Sequence, residues 1–585
     1  MKATARNVLI RLCVAALLLP LLAACSGPKE PPAGEESGSV GSVTERLTDA
    51  GTTVGQETET NQIAEEPIVL TNENKAILYF NDSGHITNES PYNRERSGIV
   101  TRARIEASVR EATDAGCDVF VSEIYGMVPW YPSEVYSVEE HLEWFYNEFG
   151  GSGSNGFLTF AKNGNNYLNM QIDQTHEAEK LFFFSYRMND LHGLAQGDNP
   201  KTASVLWISK FFIQHPEYRI GETRANNGSA RYMFDFRFEE VRNYKLAMIR
   251  ELIENYDLDG ILLDFLRAPA YFSLSKTTSQ ERQDIMTMFV KEVREMLDRK
   301  TAETGKEYYF GVTLPLEDTI YDEMGVNVDR LVSEAGIGMI VFWDYYHTQQ
   351  NFALLDAVKT AHPDLLCYAM ISQAVSYQPD ANPAVVRYTT DEQFYTTAYL
   401  AYAHKADGIS LFNLAFYRNW QYPAGTDGFY EPPFGILKNL KDVDFLAKTP
   451  QYYFLGYHYN LGRYSFNLRD VNLSENNPTL EFHLDVHAPE GGFTTDGMLV
   501  LEGVTDLVGK QMTVKCNGVV IPETVFTGFD YESPYTQLIG DGDKVRCWLV
   551  ERELLEEGTN TFTVTIRFSN STSIQKLQFI SLTIQ

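Results

Sequence analysis

The chain has 585 residues, a net charge of −31 and 44% hydrophobic residues. That length exceeds one ordinary domain and suits a large barrel plus a smaller module. The apolar fraction supports a real core, while so negative a charge argues against nucleic acid or another polyanion as partner.

Taken in order, Lys2, Arg6 and Arg11 precede an apolar run from Leu12 to Ala24. This is a signal-peptide pattern, too short for a comfortable membrane span, so residues 1–24 are expected to be a signal peptide. The run ends in Leu22-Ala23-Ala24-Cys25, which resembles the lipobox of bacterial lipoproteins. The resemblance implies cleavage before Cys25, lipidation of its sulfur, a membrane partner through that lipid, and a place in the cell envelope outside the cytoplasm. Plain secretion or an uncleaved anchor are the alternatives. Residues 25–66, rich in Gly, Ser, Thr, Pro and Glu, cannot bury enough surface to fold and read as a flexible linker.

From Lys75 strand-like runs alternate with helical patterns. The runs are 76–82, 117–126, 181–190, 260–265, 308–318, 337–346, 365–372 and 408–417. Eight strands with intervening helices predict an α/β fold, a (β/α)8 TIM barrel over 67–448. Arg102 to Ala115 reads as one helix. A stripe of Val241, Tyr244, Met248, Ile249, Leu252, Ile253 and Tyr256 marks another. A third is expected from Ser279 to Arg299, and a fourth over about 390–405, opened by the capping-box spacing of Thr390 and Gln393. The fourth strand, Ile261-Leu262-Leu263, lacks polar alternation and suits burial on both faces. Asp264 shares the face of Leu262 and is therefore expected to point into the barrel mouth.

Chemistry in this fold sits at the carboxyl ends of the strands. Those ends carry Glu123 and Tyr125, then Arg187, Asn189, Asp190 and His192, then Asp264 and Arg267. Later strands add Glu317 and Asp318, Trp343, Asp344 and Tyr345, and Asn413. Beyond Lys448 short alternating runs with little helix predict an all-β sandwich over 449–585. Glu556-Glu557-Gly558-Thr559-Asn560 resembles a turn of the galactose-binding-like jelly rolls appended to many glycosidases; a structural cap is the alternative. Cys117 and Cys367 are expected as buried thiols. Cys516 and Cys547 could form one disulfide in an oxidising compartment.

Three stretches together resemble one family: Arg187 to Gly193 after the third strand, Gln214-His215-Pro216-Glu217-Tyr218-Arg219, and residues 241–269. They are similar to the family-10 glycosylhydrolase-like barrels of exported bacterial proteins, over roughly residues 70–445. The resemblance implies a TIM barrel acting on a carbohydrate, with the sugar undefined.

Glycoside cleavage generally needs two carboxyl groups, one ionised and one protonated. Asp264 is the candidate for the ionised group, kept charged by Arg267; capping a loop or pairing with Arg267 is the structural alternative. Asp344, in an aromatic Trp-Asp-Tyr-Tyr setting that raises a carboxyl pKa, is the candidate acid. Glu317 or Asp318 rival it, then Glu123 and Asp190. Arg187, Asn189, Asp190, Arg267, Glu123, Tyr125 and Asn413 are expected to bind sugar hydroxyls; for the trio Arg187, Asn189 and Asp190 an internal salt-bridge network at the rim is the alternative. Trp343, Tyr345, Trp420, Trp130 and Tyr131 are candidates to stack on a sugar ring or to belong to the core.

The glycine string 151–156 lacks the strand-to-helix context of a nucleotide site. His483 and His487 share a strand face without a third ligand, so neither cofactor nor metal is expected. The sequence thus reads as a lipid-anchored glycoside hydrolase, or alternatively a non-catalytic glycan-binding surface lipoprotein on a hydrolase-like barrel.

Overall fold

A computed structural model of the chain describes residues 68–82, 100–124, 126–150, 156–190, 192, 206–224, 229–378, 385–418, 430–457, 466–526, 542–570 and 572–585. The signal peptide, Cys25, the linker, Tyr125, Trp420 and nearly all of the glycine string lie outside the described residues.

The barrel strands are β1 (Ala76–Asp82), β2 (Val119–Glu123), β3 (Leu181–Arg187), β4 (Gly260–Asp264), β5 (Tyr309–Pro315), β6 (Met339–Trp343) and β7 (Leu366–Ser372). After a hairpin of β8 (Ala374–Gln378) and β9 (Val385–Tyr388) comes the last, β10 (Gly408–Phe412). They close in the cyclic order β1-β10-β7-β6-β5-β4-β3-β2, every pair parallel. Each expected run contains its strand. Several runs overshoot, because residues past the strand turn to build the mouth. Asn413, for example, takes a left-handed φ of 57° and opens a 3-10 turn, Leu414–Tyr417.

Both faces of the strands are apolar, as a sheet covered by helices requires. Leu78, Phe80, Val121, Phe183, Leu262 and Val341 fill the barrel interior, whereas Ile77, Tyr79, Phe120, Phe182, Ile261 and Ile340 pack under the helices. Space inside is tight. A Cβ added to Gly311, inward on β5, would lie 2.2 Å from the Met339 side chain.

The helices begin and end on local signals. Arg102–Ala115 is capped by Thr101 and stops at Gly116 in the left-handed region. Asp391–Ala403 opens with the Thr390–Gln393 capping box. The helix expected from Ser279 opens on a Thr278–Glu281 box and runs on to Thr304, where Gly305 ends it.

The amino-terminal floor repeats one device three times. Asp118, Asp259 and Asp407 each precede a strand and accept a backbone N–H from the neighbouring one: Ile77 at 2.8 Å, Phe182 at 2.8 Å and Cys367 at 2.7 Å. Each also meets a lysine: Lys441 at 2.9 Å, Lys306 at 2.8 Å and Lys359 at 2.7 Å.

The C-terminal strands are β11 (Gln451–Gly456), β12 (Thr479–Val486), β13 (Gly497–Gly503), β14 (Met512–Cys516), β15 (Val519–Val520), β16 (Glu523–Thr524), β17 (Val545–Val550), β18 (Gly558–Ile566) and β19 (Leu577–Ile584). They form two antiparallel sheets, β11-β19-β13-β17-β16 and β12-β18-β14-β15. The fold is thus a TIM barrel followed by a β-sandwich. Cys516 and Cys547 are free, one on each sheet, so the possible disulfide does not form. Cys117 and Cys367 are buried thiols, both pushed up to about 12 by burial. A buried ion pair at 3.0 Å between Arg387 on β9 and Glu502 on β13 fastens the barrel to the sandwich.

Candidate active site

Strand alternation decides which side chains enter the mouth. Asp82, Glu123, Arg187 and Asp264 end β1 to β4 on the same parity as the interior residues Phe80, Val121, Phe183 and Leu262. All four are buried. Register places Asp82 beside Glu123 and Arg187 beside Asp264. With strands about 4.8 Å apart, the backbones of β2 and β4 stand roughly 10 Å from one another across β3.

Arg187 organises this corner. Its Nε donates to Glu123 Oε1, its Nη1 to Asp190 Oδ2 at 2.9 Å and its Nη2 to Asp82 Oδ2 at 3.3 Å. Asp264 Oδ1 accepts the backbone N–H groups of Leu266 at 2.8 Å and Arg267 at 3.3 Å; no described group hydrogen bonds to Oδ2. Asp190 accepts from Gly126 N at 3.1 Å and binds His192 Nδ1 at 2.7 Å. Arg267, half-buried, brings Nη2 to 3.4 Å from His192 Nε2.

The carboxyl groups of this cluster differ sharply in proton affinity. Burial, then the nearby charges of Asp264 and Asp82, push Glu123 up to about 8 against the opposing pull of Arg187. Burial also raises Asp264 above the usual aspartate range, opposed by Arg187 and the Leu266 N–H. Burial acts on Asp190 in the same direction, but His192 and Arg187 outweigh it and hold Asp190 well below the usual range. Burial lowers His192.

The other expected site residues divide into several environments. Asp344 follows the end of β6 and is buried. Trp343 faces the interior while Phe342 packs under the helices, and Asp344, past the strand end, binds His347 Nδ1 at 3.1 Å. Glu317 is half-buried and caps the 3-10 turn Asp318–Ile320, accepting from Thr319 N at 3.2 Å. Asn189 is fully buried and donates to the carbonyls of Phe234 at 3.1 Å and Ala270 at 2.8 Å, which commits its amide nitrogen to tying two loops rather than to a sugar.

Trp343, 5% exposed, donates Nε1–H to Ser372 Oγ at 3.0 Å. Its ring lies 4.4 Å from both Phe412 and Tyr345. Tyr345 is half-buried, and Tyr346 beside it holds a left-handed φ of 66°, a strained setting for an aromatic residue. These rings wall the β6–β10 side of the mouth, across from the charged β1–β4 side. Asn413, which follows β10, is buried. Trp130 and Tyr131 are core: Trp130 packs 4.4 Å from Phe157 and 5.0 Å from Trp207.

Asp82 was not among the sequence candidates. Period-2 alternation from Phe80 along β1 was the signal that could have found it.

Fold and site together define an α/β-barrel protein with a buried carboxylate–guanidinium cluster facing an aromatic wall. No family model matches the chain. Over 168 residues, 27% of this chain and 21% of the relative, it is 26% identical to the 1,4-alpha-glucan branching enzyme GlgB of Nocardia farcinica. The chain therefore spans about a fifth of the length of that curated relative.

Among solved structures, it is similar to a noncanonic maltogenic alpha-amylase AmyB from Thermotoga neapolitana at 13% identity. That match covers 85% of this chain and 100% of that one, with a TM-score of 0.33. An alpha-galactosidase from Lactobacillus brevis matches at 12% identity, 86% and 57% coverage and a TM-score of 0.34. The Ostrinia furnacalis Group II chitinase catalytic domain 2 matches at 11% identity, 62% and 97% coverage and a TM-score of 0.35. The barrel assignment rests on the strand pairing described above and not on these superpositions.

Proposed function

We propose that this protein hydrolyses glycosidic bonds of an oligo- or polysaccharide, with Glu123 as the proton donor and Asp264 as the ionised partner. The observation that supports this most is the pairing at one mouth of two inward carboxyl groups in unlike settings. Glu123 is held protonated near neutral pH by burial. Asp264 accepts two backbone N–H groups at Oδ1, which together with Arg187 oppose the upward effect of burial on its carboxyl.

With Arg187 on Oε1 of Glu123, the proton belongs to Oε2. It passes to the glycosidic oxygen as the bond from that oxygen to C1 breaks. The Asp264 carboxylate balances the positive charge that develops at C1, as nucleophile or as base for water. A hydroxyl from water ends on C1, the water's other proton goes to Asp264 in direct attack or back to Glu123 after a covalent intermediate, and the leaving sugar keeps the donated proton. Asp82 and Arg187 set the local charge, and the aromatic wall offers apolar surface to a sugar face.

Cys25 at the end of the lipobox-like run would fix this activity to the envelope membrane through a lipid. Asp264→Asn tests the assignment. Screened against an oligosaccharide library, the parent releases reducing ends and the variant loses about 10²–10⁴-fold in rate while still binding the same glycan. A parent that binds glycans yet releases nothing would leave the non-catalytic glycan-binding reading instead.

A further inference from the structure

We infer that the four-stranded sheet of the sandwich carries a second binding site, a cleft for a neutral saccharide chain, separate from the barrel mouth and independent of whether that mouth is hydrolytic. The cleft has a volume of about 400 Å³ and lies where β14 begins and β18 ends. That size falls within the ~300–1,000 Å³ of small-molecule sites.

Its lining combines the two kinds of surface that a sugar ring presents. Gln511 and Arg567 supply planar groups able to donate or accept in pairs, joined by an Arg567 Nη1–Gln511 Oε1 hydrogen bond at 3.2 Å. Thr513 and Thr565 are register partners and supply hydroxyls. Half-buried Phe568 and Pro478 offer apolar surface to the C–H face of a ring. Glu475 balances Arg567, so the lining has no net charge. A chain of net charge −31 repels anionic polymers. Neutral glycan is therefore the class that fits.

Beyond the cleft, threonines follow one another along the sheet, with the Thr561 hydroxyl 3.2 Å from His483 Nδ1. Thr561, Thr563 and Thr565 share the outer face of β18, each half-buried, and Thr565 Oγ1 meets Thr479 Oγ1 at 2.9 Å. From Thr561 to Thr565 the hydroxyl row runs roughly 13 Å, the reach of several linked sugar rings and more than a single one needs.

The test is affinity gel electrophoresis of the full chain in gels containing soluble starch, galactomannan, arabinoxylan or polygalacturonate. At least one of the three neutral polymers should retard the parent, and polygalacturonate should not. The double variant Arg567→Ala, Gln511→Ala should weaken that retention roughly five- to tenfold. Thr513→Trp, which fills the cleft, should weaken it similarly, and both should leave hydrolysis of a small substrate at the barrel unchanged. Asp264→Asn should keep the retention, which separates failure at the barrel from failure here. Absence of retardation by every neutral polymer overturns the inference. Retention undiminished in both cleft variants, or equal retention by polygalacturonate, also overturns it.

Discussion

Replacing Arg187 with methionine would take away a buried cation that three carboxyl groups share, its side chain being 2% exposed. Methionine keeps much of the volume, so the packing loss is small. What remains is electrostatic. Removing one partner of a buried ion pair typically costs about 3–5 kcal/mol, because the other charge stays buried without compensation. Glu123 absorbs part of this by keeping its proton, since Arg187 was opposing the effect of burial there.

Asp190 cannot escape so easily. Its folded-state pKa is depressed, with His192 and Arg187 outweighing burial. Its stabilisation is therefore present above the ordinary aspartate value of about 3.9 and lost as pH falls through the lower folded value. The variant raises the folded value, so its deficit is full near neutral pH and shrinks on acidification. Urea unfolding of parent and variant should show a loss of about 3–5 kcal/mol at pH about 7.5 and a clearly smaller one at pH about 4.5. A loss under about 1 kcal/mol at the higher pH, or the same loss at both, would refute a cluster held together by Arg187.

In the parent, hydrolysis should decline as pH rises through about 8, because Glu123 then loses the proton it donates. Glu123→Gln should lower the rate about 10²–10⁴-fold, and a parent with a flat alkaline rate profile would contradict the assignment. On the barrel floor, Asp407→Asn weakens the 2.7 Å contact to Lys359 and should cost about 1–3 kcal/mol in urea unfolding, with turnover per folded molecule unaltered. Arg387→Met alone removes the guanidinium that faces Glu502, 2% exposed, and should cost about 3–5 kcal/mol. Adding Glu502→Leu should restore most of it, a coupling that a double-mutant cycle measures directly.

The barrel was legible in the sequence because each of its strands is an apolar run between turn signals, and the helices between them announce their ends. Thr390 with Gln393 capped where the spacing said. The inward direction of Asp264 followed from its two-residue offset from Leu262, a property of the local backbone alone. Such features depend on neighbours in the chain, so a reading of the chain reaches them.

Its companion acid was another matter. In β6, Met339–Trp343, every residue is apolar, since a strand buried on both faces has no polar alternation to reveal its parity. Trp343 took the interior, and Asp344 beyond the strand end paired with His347. Glu123 gained its raised proton affinity from burial in the mouth and then from Asp264 and Asp82, groups on two other strands. Local sequence determined which stretches form strands. Only closure of the sheet decided which ends meet, because burial and charge are set by neighbours distant in the chain.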